Sequence, residues 1–156
     1  MIILQDNREN LPYLFDRWPV EVKAATLKTG DYSLPGFTDQ AAIERKSLDD
    51  LIGCLTGSNR SRFERELSRA RSFELFVVIV ESDLSQISNK QYHSVMNPDA
   101  VLQSIVAFHI RYGVPFLFAG DRCGAEYLTY SLLQKFLYEI QKRFKYAQQF
   151  NLEVEG

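Results

Sequence analysis

Nitrogen and sulfur metal ligands are scarce in this chain: its 156 residues include two histidines, His93 and His109, and two cysteines, Cys54 and Cys123, with no clustering among them. A disulfide scaffold and a cysteine-ligated zinc site both need grouped thiols, so both are excluded, and the two thiols read as buried or idle. His109 falls in an apolar helical stretch, where an imidazole satisfied by packing is expected. No apolar run is long enough to span a bilayer and no signal or targeting extension is visible, so a cytoplasmic location with no membrane partner is expected. An excess of positive charge is missing too. The formal net charge is −2, which runs against a surface built to grip phosphates everywhere. What is present is 46% apolar content over a length that suits one domain with a real core, residues 1–156, and leaves no room for a second.

The densest chemistry lies in Ile43-Glu44-Arg45-Lys46, with Asp50 shortly after it and Gly30-Asp31 before it. Residues 40–46 read as a strand, so Glu44 and Lys46 share one face while Ile43 and Arg45 take the other. Residues 28–34 read as the preceding strand, and Pro35-Gly36-Phe37-Thr38-Asp39 supplies turn chemistry that folds the two into a hairpin. In a roughly symmetric hairpin Asp31 lies opposite Glu44. Like charges facing each other on a sheet repel, and a cation between them resolves the conflict. Mg²⁺ prefers hard oxygens, keeps several waters and binds through a few carboxylates plus substrate phosphate, which suits Asp31, Glu44 and Asp50, the last from the first turns of the next helix. Lys46 would orient the attacking water or neutralise developing charge in phosphodiester hydrolysis. The plainer alternative is that Lys46 only neutralises two acids at a strand end.

The remaining pattern gives a strand over 1–6, a helix over 9–17 and a strand over 20–28 ahead of the hairpin. Helices follow over 49–55 and 60–73. Leu75 to Val80 is a continuous apolar run, the mark of a buried central strand. Asn97-Pro98 opens a helix that Gly113 closes after Tyr112, a short strand covers 115–119, and a long helix covers 125–149. The alternation implies an α/β fold, a central mixed sheet flanked by helices on both faces. The last helix carries Leu128, Leu132, Leu133, Phe136, Leu137, Ile140 and Phe144, widened by Tyr130 and Tyr138, more apolar surface than one sheet needs to cover.

Gly30-Asp31-Tyr32 followed by Ile43-Glu44-Arg45-Lys46-Ser47-Leu48-Asp49-Asp50-Leu51 resembles the nuclease domain of the XPF-type structure-specific DNA endonucleases of excision repair and recombination. Gln5-Asp6-Asn7-Arg8-Glu9 with Leu11-Pro12 resembles that family's first motif. The resemblance covers residues 1 to about 80 and implies a restriction-endonuclease-like fold. It also implies Mg²⁺ as cofactor, with Mn²⁺ substituting, and Asp31, Glu44 and Asp50 as its ligands. Lys46 becomes the catalytic cation, Arg45 and Asp6 catalytic supports, and Arg8 and Glu9 further supports or backbone contacts. DNA would be the substrate, in branched, flapped or forked form. Homodimers or heterodimers would form through the nuclease domain, and in a bacterial or phage setting the location would be the nucleoid. The tandem helix-hairpin-helix modules usual in the family are not expected within these residues.

Five arginines, Arg60, Arg62, Arg65, Arg69 and Arg71, fall within residues 60–71. On a helix Arg62, Arg65 and Arg69 make one stripe that could follow a phosphate backbone, or could equally be a solvated face laced with Glu64 and Glu66. Arg60 and Arg62 compete for the family's further active-site arginine. Two functions therefore stand: a metal-dependent DNA endonuclease, and a non-catalytic scaffold or DNA-binding partner subunit that keeps the nuclease fold.

Overall fold

Strand β5 (Leu75–Val80) is buried along nearly its whole length in the computed structural model, which describes residues 1–150. Phe76, Val78 and Val80 face one core and Val77 and Ile79 the other, so the sheet needs cover on both sides. One side is closed by α1 (Leu48–Gly53), α2 (Gly57–Ala70) and α4 (Pro98–Tyr112), which contribute Leu51, Ile52, Phe63, Leu67, Val101 and Phe108. The other is closed by α5 (Arg122–Gln149) through Ala125, Leu133 and Phe136, joined by Tyr13 and Phe15.

The remaining strands are β1 (Ile2–Asp6), β2 (Glu21–Ala25), β3 (Tyr32–Ser33), β4 (Ala41–Lys46) and β6 (Phe116–Phe118). They form one six-stranded sheet in the order β2-β1-β3-β4-β5-β6. β3 runs antiparallel to β1 and to β4, while β1 with β2 and β4 with β5 and β6 are parallel. This is the mixed sheet with helices on both faces that the pattern implies. Helix ends follow the expected chemistry: Ser47 caps α1, Asn97 caps α4 with Pro98 in its first turn, and Gly113 ends α4 in a left-handed conformation. His109 is more exposed than expected, and its Nδ1 bonds to the Val114 carbonyl just past that end. Among the described residues no helix is long and apolar enough to cross a membrane.

Local expectations fail in four places. Residues 9–17 form turns and bends, not a helix, because distant partners take their backbone groups. Arg122 donates to the carbonyls of Leu11 and Pro12, and Glu126 accepts from the N–H groups of Leu14 and Phe15. The strand over 28–34 shrinks to β3, since Gly30 turns the chain with φ of 80°; the strand over 20–28 shrinks to β2. A short helix, α3 (Leu84–Ser88), closed by an Asp83/Gln86 capping box, was not expected.

Candidate active site

The antiparallel pairing of β3 with β4 sets Tyr32 against Ile43 and Ser33 against Ala42; one step further along this register, Asp31 faces Glu44. Asp31 is stitched to both neighbouring strands. Its N–H donates to the Ile43 carbonyl at 2.8 Å and its carbonyl accepts from the Asp6 N–H at 2.7 Å. Its Oδ2 accepts the Arg45 N–H at 2.7 Å. Gly30 makes this approach possible, because a Cβ there would lie 2.8 Å from the Ala42 Cβ at a φ that side chains rarely adopt. Glu44 and Lys46 leave β4 on the α2 side, and the Lys46 Nζ forms an ion pair with Glu44 Oε1.

These groups are crowded, with Glu44 buried and Asp31 and Lys46 half-buried. Burial pushes the Asp31 carboxyl up to about 6, against the pull of the Lys46 ammonium and the Arg45 N–H, with Glu9 and Glu66 adding to the rise. Burial also drives Glu44 well above the usual carboxylate range; Lys46 counteracts this only in part, and Asp31 and Glu66 reinforce it. Burial works against the Lys46 charge, yet Glu44 and Asp31 outweigh it and hold the ammonium above its usual pKa. All three line a cleft of about 730 Å³, walled on the far side by α2.

The other expected site residues divide. Asp50 lies on the cleft wall, where its Oδ2 accepts the Ser47 hydroxyl at 2.7 Å. The β3–β4 register brings Asp31 and Glu44 opposite each other, while among the described residues no three histidine, cysteine or carboxylate side chains are grouped closely enough to hold a metal ion. Asp6 uses both oxygens structurally: Oδ1 accepts from the Arg8 N–H and Nε, and Oδ2 from Arg8 Nη2 and the Leu27 N–H. The Arg8 guanidinium holds its carboxyl below the usual range. Arg45 stands behind the acids, paired with both oxygens of Glu81 at 2.7 and 2.9 Å and with Glu9 at 3.3 Å. Arg62, Arg65 and Arg69 line the cleft and are exposed. Arg60, also expected to meet substrate, is not among the described residues that line the cleft. Its guanidinium donates to the Leu55 carbonyl and Ser104 and stacks 4.7 Å over the Phe108 ring, which turns it into the α2–α4 contact.

Two acids that sequence reasoning passed over prove central. Glu81, at the end of β5, also accepts the Tyr13 hydroxyl and pairs with Arg122, so it joins the back of β4 to the loop after β1 and to α5. Glu66 lies among the α2 arginines, where it read as a neutralising charge, yet it reaches the Gly30 N–H across the cleft. The only sequence signal for Glu66 was its helical phase, shared with Arg62 and Arg69.

The mixed sheet, with a carboxylate pair and a lysine at the carboxyl end of an inner strand, defines a nuclease domain of restriction-endonuclease-like fold. Residues 5–130 match the ERCC4 domain, and the chain belongs to that family as an XPF-type nuclease domain. It is 31% identical to the DNA repair endonuclease XPF of Cricetulus griseus over 83 residues, 53% of this chain and 8% of that protein. For the Mus musculus enzyme the identity is 31% over 86 residues, 55% of this chain and 9% of the relative. The chain thus spans less than a tenth of the curated relatives it matches. Among solved structures, XPF from Aeropyrum pernix superposes with a TM-score of 0.70 at 19% identity, covering 96% of this chain and 72% of that one. Its complex with DNA gives 0.64 at 20% identity, covering 88% and 66%.

Proposed function

We propose that the chain is a divalent-metal-dependent DNA endonuclease that hydrolyses phosphodiester bonds in branched, flapped or forked DNA. The observation that carries this reading is the pair Asp31 and Glu44, set face to face with Glu44 buried and Asp31 half-buried, one ammonium paired with Glu44, and a third acid, Glu66, near enough to raise both carboxyls. Such crowding favours a further cation. The donor set fits Mg²⁺, with Mn²⁺ as substitute: two hard carboxylates suffice where waters and a substrate phosphate complete the shell, and Asp50 would join from the wall. When bound, the metal supplies Lewis-acid stabilisation of the phosphoryl oxygens and a more acidic water.

Lys46, held by Glu44, keeps its positive charge beside the reacting phosphate. Arg45 and Asp6 line the same cleft and act as braces, the first fixing the end of β4 and the second pinning the loop to Leu27. Arg62, Arg65 and Arg69 offer guanidinium groups to phosphates along one wall, and Arg8, with 68% of its side chain exposed, lies on the rim. The DNA-bound Aeropyrum pernix relative supports DNA as the ligand class. Exposed Tyr138, Phe144 and Tyr146 on α5 offer a surface for a homodimer or heterodimer.

The test is cleavage of forked and nicked duplexes with Mg²⁺ by the wild type, Asp31→Asn and Lys46→Ala. Both variants should lose about 100-fold or more; equal rates in all three would remove the assignment. The engagement of Asp50 Oδ2 by the Ser47 hydroxyl favours a second reading, a non-catalytic nuclease-fold scaffold or DNA-binding partner subunit. Calorimetric titration with Mn²⁺ separates the two, since a scaffold should show no binding that depends on Asp31 and Glu44.

A further inference from the structure

The cleft wall opposite the carboxylates is one face of α2, on which Arg62, Arg65, Glu66 and Arg69 recur at helical spacing. Three of these are exposed cations suited to phosphates. Glu66 is the exception: half-buried, it turns toward the sheet, and its Oε1 accepts the Gly30 N–H at 3.2 Å. One turn further on, Arg69 Nε donates to the hydroxyl of buried Thr29 at 3.4 Å. α2 therefore grips the turn that presents Asp31 at two successive residues. Asp31 itself is tied to β4 and β1 by its own N–H and carbonyl, whereas Gly30, at a φ of 80°, has no side chain with which to anchor the turn just before it.

We propose that Glu66 is a positioning residue: by holding the Gly30 N–H it fixes Asp31 opposite Glu44 and couples the arginine wall of the cleft to its carboxylates. The inference rests on the nuclease reading of the same cleft and adds a residue to it. Phosphates bound along Arg62, Arg65 and Arg69 would load α2, and the Glu66–Gly30 and Arg69–Thr29 bonds carry that load to the one turn whose position sets the spacing of the two acids. Glu66 acts here as a hydrogen-bond acceptor. A neutral acceptor of the same shape should do the same work, whereas a metal ligand could not be so replaced.

The experiment compares Glu66→Ala and Glu66→Gln with the wild type in three measurements: single-turnover cleavage of a forked duplex with Mg²⁺, DNA affinity with Ca²⁺ in place of Mg²⁺, and hydrogen exchange of the Gly30 amide. Glu66→Ala should lose about 10- to 100-fold in cleavage rate, keep its DNA affinity within about twofold, and expose the Gly30 amide to fast exchange. Glu66→Gln should restore rate and protection to within about threefold of wild type. Equal losses in both variants would assign Glu66 a charge-dependent role and overturn the proposal, as would unchanged rates or unchanged Gly30 protection in Glu66→Ala. A loss of DNA affinity matching the loss of rate would make Glu66 a folding or binding residue instead. Wild-type protein that cleaves no forked or nicked duplex refutes the nuclease reading, and the role in turnover falls with it; wild-type cleavage matched by Glu66→Ala refutes the positioning role alone.

Discussion

At the residue scale, Asp31 is held in its charged form against the preference of its surroundings. Its pKa is pushed up to about 6 by burial and by neighbouring acids, whereas an unfolded aspartate titrates near ~3.9. Between those two values the native protein binds a proton that the unfolded chain does not, so stability falls as pH rises through that window, and the full cost is present above it. In chelator, urea unfolding should therefore show greater stability at pH 5 than at pH 7. Asp31→Asn keeps an oxygen for the Arg45 N–H and removes the charge. It should flatten that dependence and stabilise the protein by about 1–3 kcal/mol at pH 7.5 while abolishing cleavage. A variant less stable than wild type at that pH would show that the charge is satisfied by its neighbours. Gly30→Ala should act in the opposite direction. The added methyl meets the Ala42 Cβ at 2.8 Å and the Ile43 carbonyl oxygen at 3.1 Å in a left-handed conformation. A loss of about 1–3 kcal/mol in thermal unfolding is expected, and an unchanged midpoint would mean that the turn relaxes freely.

At the scale of the element, α2 shows what helical phase tells and what it does not. Phase alone placed Arg62, Arg65 and Arg69 on one stripe and Phe63, Leu67 and Ala70 on another, and the structure exposes the first set and buries the second. Phase could not say that Arg60 turns inward, because its partners Phe108 and Ser104 come from α4, far along the chain. The two classes of arginine should separate in DNA-binding titrations over a range of salt. Arg62→Ala and Arg65→Ala should weaken binding and each reduce the salt slope by about 1. Arg60→Ala should leave the slope unchanged and lower stability by about 1–2 kcal/mol through the lost stacking and the orphaned Leu55 carbonyl. A reduced slope for Arg60→Ala would return it to the cleft. The hairpin was legible for a related reason: the pairing of Asp31 with Glu44 follows from local turn chemistry and strand alternation, which need no distant partner.

At the scale of the whole molecule, the sequence was least legible where long-range contacts decide the backbone. Strands and helices with clear periodicity, β5 and α4 above all, fall where expected, while residues 9–17 follow neither period of the chain. Their conformation is dictated by α5, which reaches them across more than a hundred residues of sequence. Glu126 Oε1 accepts the N–H groups of Leu14 and Phe15 at 3.1 and 2.7 Å, and its Oε2 pairs with Arg17 at 3.1 Å. Phe15, at a φ of 56°, is strained for a residue with an aromatic side chain, yet it is buried against Tyr32 and Trp18. Glu126 is therefore the acceptor that lets this segment be irregular without leaving backbone donors unmet. Removing it in Glu126→Ala leaves the N–H of Phe15 half-buried and unpaired, and should cost about 2 kcal/mol in chemical unfolding. Faster hydrogen exchange should be confined to the amides around Leu14 and Phe15. Because Asp31, Glu44 and Lys46 are held by β1, β4 and α2, cleavage per folded molecule should persist within about threefold. Loss of cleavage in a variant that remains folded would show that the Leu14–Phe15 stretch also shapes the cleft, beyond Arg8, Glu9 and Asn10, which line it.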